Sequence, residues 1–414
     1  MTIDVSLLPY STVLEKLVAL STNYEYFSIH CSNQHPSKYA IIAGFGAKQI
    51  FNSLPKTQLN DKQWKFGLVS YDTKNTFEEL NSQHENLHEL NDVSFFIPEI
   101  VINYQGNKLT VFSQNNQQEK EIAEEITRIN YKKEKREAII LQAKTSKEQY
   151  IQRVQEIKNR IQLGDIYELN YCINYYNNNT TANCNELFLE LNKISETPFA
   201  CYTKHKNNYI ISSSPERFIK KQENTLTTEP IKGTAARGKN ENEEKKIKQE
   251  LFNNPKERNE NVMIVDVSRN DLSRIATKGS VKVNELFKVK TYKQVHQLVS
   301  TISCELKPNT SLQEIFKASF PPASMTGAPK IRAMQLIDEY ENFRRGAYSG
   351  TVGFIEPTGD FDFNVIIRSV IYNSKSNYIS YSVGSAITAK CDAEKEYEEC
   401  MLKAKAMKEI LERE

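Results

Sequence analysis

The sequence predicts an α+β fold with large, mostly antiparallel β-sheets. Three observations predict it. Short runs rich in β-branched and aromatic residues recur along the chain, as pleated, half-buried strands require. Separate segments carry apolar residues at helical spacing. The two patterns do not alternate in the regular order of a parallel βαβ array.

Taken in order, the first residues, Met1-Thr2-Ile3-Asp4-Val5-Ser6, lack the basic and apolar regions of a signal peptide. Gly44-Phe45-Gly46 is the one nucleotide-like glycine cluster, but its third glycine is missing, so it reads as a strand bend. Residues 117–136 are dense in charge and residues 175–185 (YYNNNTTANCN) lack periodicity, so both read as loop-like or solvated. Residues 209–213 (YIISS), 346–355 (GAYSGTVGFI) and 378–383 (YISYSV) read as strands. Residues 364–372 (NVIIRSVIY) read as one buried strand with a charge inside it. Residues 239–249 read as a solvated helix face. Residues 394–413 place Tyr397, Met401, Ala404, Met407 and Leu411 at helical spacing.

Composition excludes several classes. The chain has 414 residues, 39% of them hydrophobic, enough for one large core or two fused ones. A formal net charge of +2, with acids and bases mixed, argues against a nucleic-acid binder. No run approaches the ~20 apolar residues of a membrane span. Seven scattered cysteines without a CxxC pair suit reduced thiols in a cytoplasmic chain.

Several positions could carry chemistry. Asn254-Pro255-Lys256-Glu257 has the form of a helix start: N-cap, N1 proline and capping-box acid. Glu257 and Glu260 then share a face. Glu396 and Glu399 repeat that spacing near the carboxyl end, with Lys403 a turn further on. Four such carboxylates could hold a hard cation such as Mg²⁺. From spacing alone, ordinary surface acids are the commoner explanation. Glu216 follows a Ser-Pro turn. Lys232 lies in Pro230-Ile231-Lys232-Gly233-Thr234, where a partly desolvated lysine could be nucleophilic, although an exposed loop lysine fits the pattern as well. His296 stands alone in an otherwise plain segment. Arg368, inside its apolar run, must pair with an anionic ligand or a buried acid. Gly384-Ser385-Ala386 would let backbone N–H groups approach an anion, or simply form a turn.

Together these segments resemble the chorismate-utilising enzymes, the family of anthranilate, aminodeoxychorismate, isochorismate and salicylate synthases. The matching landmarks run from about 147 to 405: GDIY at 164–167, SSSPERF at 212–218, PIKGT at 230–234, NVMIVDVSRND at 261–271, FPPASMTGAPK at 320–330, YSGTVGF at 348–354, Arg368 and EKEYEECMLKAKA at 394–406. Residues 1–140 resemble the family only loosely and are expected to form an amino-terminal subdomain. Residues 141–414 are expected to form the chorismate-binding catalytic domain. The resemblance implies antiparallel sheets packed as a sandwich with helices outside. Lys232 points to the aminodeoxychorismate branch, since anthranilate synthases usually carry Ala there. Glu168 departs from the family, whose members carry Lys or Gln at that position.

What the resemblance implies is concrete. Glu260 and Glu399 would hold Mg²⁺, with Glu257 and Glu396 ordering its waters. Thr234, His296, Tyr348, Arg368, Gly384, Ser385, Ala386 and Lys403 would surround chorismate. Lys232 would attack ring carbon C2, Glu216 would protonate the departing 4-hydroxyl, and ammonia would then displace the lysine from C4. No segment resembles a glutamine amidotransferase, so a separate subunit is expected to supply the ammonia. An anthranilate-forming enzyme, or an inactive chorismate-binding partner, are the competing readings.

Overall fold

Strand pairing is antiparallel throughout and builds two sheets. The computed structural model describes residues 1–55 and 62–413. One sheet has twelve strands and the other ten, among the described residues. In the larger sheet, Glu168–Asn177 pairs along its whole length with Tyr378–Thr388. Both sheets draw strands from either side of residue 140. Tyr26–Cys31 pairs with Phe199–His205 in the larger sheet, and Lys65–Val69 pairs with Thr351–Ile355 in the smaller. The two parts distinguished in the sequence therefore share one pair of sheets.

The sheets pack face to face. Cys172, Cys201 and Ile210 of the larger sheet meet Leu68, Ile219, Val352 and Phe363 of the smaller in one buried cluster. The outer face of the larger sheet is covered by helices. Lys147–Gln162 begins with a capping box, Ser146 with Gln149, and buries Tyr150, Val154 and Ile157 at four- and three-residue steps. Ala393–Glu412 starts at Asp392, whose carboxylate accepts the backbone N–H groups of Glu394 and Lys395. It buries Cys400, Ala404, Met407, Ile410 and Leu411 on the same core. Tyr397 and Met401 are half-buried at its edge.

Some expected elements differ. Residues 117–136 are not loop-like throughout: Asn116–Arg128 is a helix that buries Ile122, Ala123 and Ile126. Those three apolar positions suffice to anchor one face of an otherwise charged segment. Within 346–355 only Thr351–Ile355 is strand. The run 364–372 is two strands, Phe361–Val365 and Ser369–Asn373, separated at Arg368, whose φ is +51°. The first belongs to the smaller sheet and the second to the larger, so the chain changes sheets there and aims Arg368 between them. Most of residues 239–249 fall in a helix, Glu241–Asn253, of which only Leu251 is buried. All seven cysteines are free and buried. Among the described residues no helix is long and apolar enough to cross a membrane.

Candidate active site

A cleft opens where the two sheets, the helix Pro255–Ser273 and the helix Ala393–Glu412 converge. Its most informative wall is the strand Ile231–Ala236, which pairs with Val295–Glu305. Ile231 faces Val299 and Thr234 faces Gln297, so Lys232 and Gly233 together oppose a single residue. That is a β-bulge, a device that re-aims a side chain. Gly233 makes it with φ of +89°. A Cβ at this position would also stand 3.0 Å from Glu257 Oε2. Gly233→Ala should therefore cost at least about 1–2 kcal/mol of stability, the ordinary penalty for a left-handed L-residue. It should also displace Lys232. Urea melts with a wild-type midpoint would remove the strain argument.

Lys232 is 8% exposed and its Nζ donates to Glu168 Oε1 at 2.5 Å. Burial alone would lower its pKa, but Glu168 and Glu260 outweigh burial and hold it above the ordinary lysine value. Glu168 is fully buried, and its second oxygen has no hydrogen-bond partner among the described residues.

The metal-type carboxylates come from two helices. Asn254 caps the first, accepting from Lys256 N at 3.0 Å and Glu257 N at 3.4 Å. The following turn carries Glu257 and Glu260 into the cleft. Glu396 and Glu399 arrive on the second helix. Lys256 Nζ lies 2.6 Å from Glu396 Oε1 and 3.7 Å from Glu260 Oε1, the second too long for a hydrogen bond. Glu260 Oε1 is thus buried without one. Burial pushes the Glu260 carboxyl up to about 8, and raises Glu257 and Glu396 as well. Burial would raise Glu399 too, but Lys403, 2.7 Å away, overrides it and holds that carboxyl below its usual value. As the side chains stand, no three metal-ligating groups converge tightly enough to coordinate an ion, among the described residues. Lys256 supplies the counter-charge instead. The all-oxygen donor set and the orphaned Glu260 oxygen nevertheless match what a hard divalent cation takes.

The other end of the cleft is cationic. Arg368 lines it and has no ion pair among the described residues. Burial lowers its pKa to about 10, which leaves it charged at neutral pH. Lys403 lies between, donating to Gly384 O at 2.8 Å. Glu216 accepts from Ser324 Oγ at 2.6 Å and from Ile231 N at 3.4 Å. Burial raises its carboxyl to about 7, so a large fraction is protonated near neutrality. A bound dianion would therefore find positive charge, a carboxylic acid and an amine within one enclosure.

A family model described as chorismate binding enzyme matches residues 15–409. The chain belongs to that family. It is 33% identical over 351 residues to aminodeoxychorismate synthase component 1 of Escherichia coli, covering 84% of this chain and 76% of the relative. It is 30% identical over 366 residues to anthranilate synthase component 1 of Aquifex aeolicus, covering 84% of this chain and 74% of that one. To the chloroplastic aminodeoxychorismate synthase of Arabidopsis thaliana it is 41% identical over 266 residues, 63% of this chain but only 28% of the relative. Its fold matches the menaquinone-specific isochorismate synthase of Escherichia coli, with a TM-score of 0.78 at 19% identity over 99% of this chain and 94% of that one.

This chorismate binding enzyme gathers most of the residues picked out in its sequence. Lys232, Glu216, Thr234, Tyr348, Arg368, Gly384, Ala386, Lys403, Glu257, Glu260 and Glu399 all line the cleft. Ser385 and Glu396 stand just behind it. Ser385 alternates to the other face of its strand, where its Oγ lies 2.7 Å from Tyr150 OH. His296 is not brought to the cleft. Its Nε2 faces Glu244 at 2.8 Å, on the outer helix Glu241–Asn253. Pleat parity gives the cleft to its neighbour Gln297 instead. Asn170, Ser324, Met325 and Ser382 also line the cleft without having been singled out. Ser324 and Met325 sit inside FPPASMTGAPK, and Asn170 lies two residues from Glu168, so motif and strand period were the available signals.

Proposed function

We propose that this chorismate-binding enzyme aminates chorismate at C4 to give 4-amino-4-deoxychorismate, the precursor of p-aminobenzoate for folate synthesis. The observation that carries the reading is Lys232, a buried amine aimed by a glycine bulge into a cleft with a carboxylic acid and an unpaired guanidinium. The relatives named aminodeoxychorismate synthase component 1 support it.

In this mechanism Arg368 and the Gly384–Ala386 backbone hold the enolpyruvyl carboxylate. Lys403 adds positive charge beside the substrate. Neutral Lys232 attacks C2, the ring double bonds shift, and the C4–oxygen bond breaks. Glu216, with its raised pKa, gives its proton to the departing oxygen, which leaves as water. Ammonia then attacks C4, the double bonds shift back, and Lys232 departs from C2. Glu260 and Glu399 would hold Mg²⁺, with Glu257 and Glu396 ordering its waters, in place of the Lys256 counter-charge. Bound there, the ion would polarise the ring carboxylate as a Lewis acid. A separate glutamine amidotransferase subunit delivers the ammonia in this reading. The setting is cytoplasmic, which suits seven unpaired buried thiols.

Mass spectrometry of the products tests the proposal. Chorismate, Mg²⁺ and an ammonium salt should yield an aminated product that keeps its enolpyruvyl group. Release of pyruvate with anthranilate would select the anthranilate reading, which the Aquifex aeolicus relative keeps in play. No consumption of chorismate would leave an inactive binding partner.

A further inference from the structure

The amine that attacks C2 in the proposed reaction is held in the cleft as an ammonium, so a proton must leave it first. We propose that Glu168 is the acceptor of that proton, a catalytic carboxylate in direct contact with the reacting nitrogen. The inference rests on the reading of Lys232 as nucleophile.

The geometry singles Glu168 out. Its Oε1 is 2.5 Å from Lys232 Nζ, an ion pair between two buried side chains. Its Oε2 is buried and accepts nothing, so the carboxylate is not locked into a fully satisfied structural network. Backbone pairing to Thr388 on one side and Ala328 on the other fixes its position. The remaining charged groups around the lysine are otherwise placed. Glu260, on the helix Pro255–Ser273, influences Lys232 without forming an ion pair with it. Glu216, after the strand Asn208–Ser214, is engaged by Ser324 and Ile231. Lys403, on the helix Ala393–Glu412, is paired with Glu399. Among the described residues, Glu168 alone combines contact with a free oxygen.

The protons balance. An Nζ proton passes to Glu168, and the exposed lone pair forms the bond to C2. The C4–oxygen bond breaks, and the oxygen leaves as water with the Glu216 proton. After ammonia attacks C4, Lys232 leaves C2 as a neutral amine and recovers its proton from Glu168. Glu216 takes back a proton from the new C4 ammonium.

The test follows the covalent adduct on the Lys232 peptide by mass spectrometry, with chorismate and Mg²⁺ but no ammonia. Glu168→Gln should form the adduct about 100-fold more slowly than the unsubstituted chain at pH 7, the usual worth of a positioned base. Its rate should recover as the pH rises, because solvent then removes the proton. Chorismate binding, titrated separately, should stay within about threefold, since Arg368 and Lys403 remain. Glu168→Asp should fall between, and it carries the same comparison if the Gln variant fails to fold. An adduct that forms as fast in both variants as in the unsubstituted chain at every pH would overturn the assignment while leaving the nucleophile in place. Absence of any adduct in the unsubstituted chain would overturn the nucleophile itself, and the Glu168 role with it. The two failures are thus told apart without reference to the variants.

Discussion

Lys232→Ala should form no covalent adduct with chorismate and should lose at least about 100-fold in amination rate, a modest demand for removing a covalent catalyst. Binding of chorismate should survive, because Arg368 and Lys403 stay in the cleft. Lys232→Arg should fail as well, since a guanidinium remains protonated and cannot attack. The Ala variant also leaves Glu168 buried without its partner, which costs stability. Lys232→Met combined with Glu168→Gln is therefore the control for folding, keeping side-chain volume while removing both the amine and the carboxylate it would leave unpaired. Amination at C4 by Lys232→Ala at the wild-type rate would reduce the lysine to a charge and return direct attack by ammonia, as in the anthranilate reading.

Glu260→Gln should melt at a higher temperature than the unsubstituted chain when both are kept in chelator at pH 8.5. The two should converge toward pH 5. The sign follows from burial, which raises the Glu260 carboxyl to about 8 from its ordinary value of 4.5. Between those values the folded state holds the proton more tightly than the unfolded one, so its stability falls as pH rises. Glutamine keeps the shape and cannot ionise. Lys256 keeps Glu396 as its partner in the variant, and Lys232 keeps Glu168. Adding Mg²⁺ should reverse the order. The intact site then gains by mass action, about 2.7 kcal/mol at a hundred times the dissociation constant, and the variant loses an oxygen ligand and its turnover. Equal melting of the two proteins with and without Mg²⁺, at both pH values, would remove Glu260 from the metal site. Full activity of the unsubstituted chain in excess chelator would do the same for the metal.

The residues that sequence placed and misplaced show where local patterns stop. Asn254-Pro255 announced a helix start, and the cap forms as expected. The acid of the expected capping box does something else: Glu257 turns to the cleft. A helix end can be read locally because its orphan N–H groups need a side-chain oxygen within three residues. The direction of a carboxylate is settled by what lies opposite. The same holds for His296 and Gln297, adjacent in sequence and facing opposite sides of one strand. Period-2 alternation says that they part company, and only the neighbouring sheet and helix say which of them meets the substrate cleft.

By itself the sequence determined the α+β class, the helix start at Asn254, the family and most of the cleft residues. These are properties of short segments: apolar spacing, capping chemistry and motifs whose order along the chain is itself the signal. Tertiary structure alone decided the break at Arg368, where one apolar run becomes two strands in two sheets. It also decided the pairing of Lys256 with Glu396, 140 residues apart, and the contact of Glu168 with Lys232, 64 residues apart. The physical reason is common to the two ion pairs. A buried charge takes whichever partner the packed sheets bring within about 3 Å, because leaving it unpaired costs more than the contact gains. That partner is fixed by strand register and helix placement across the whole fold, which no local stretch of sequence records.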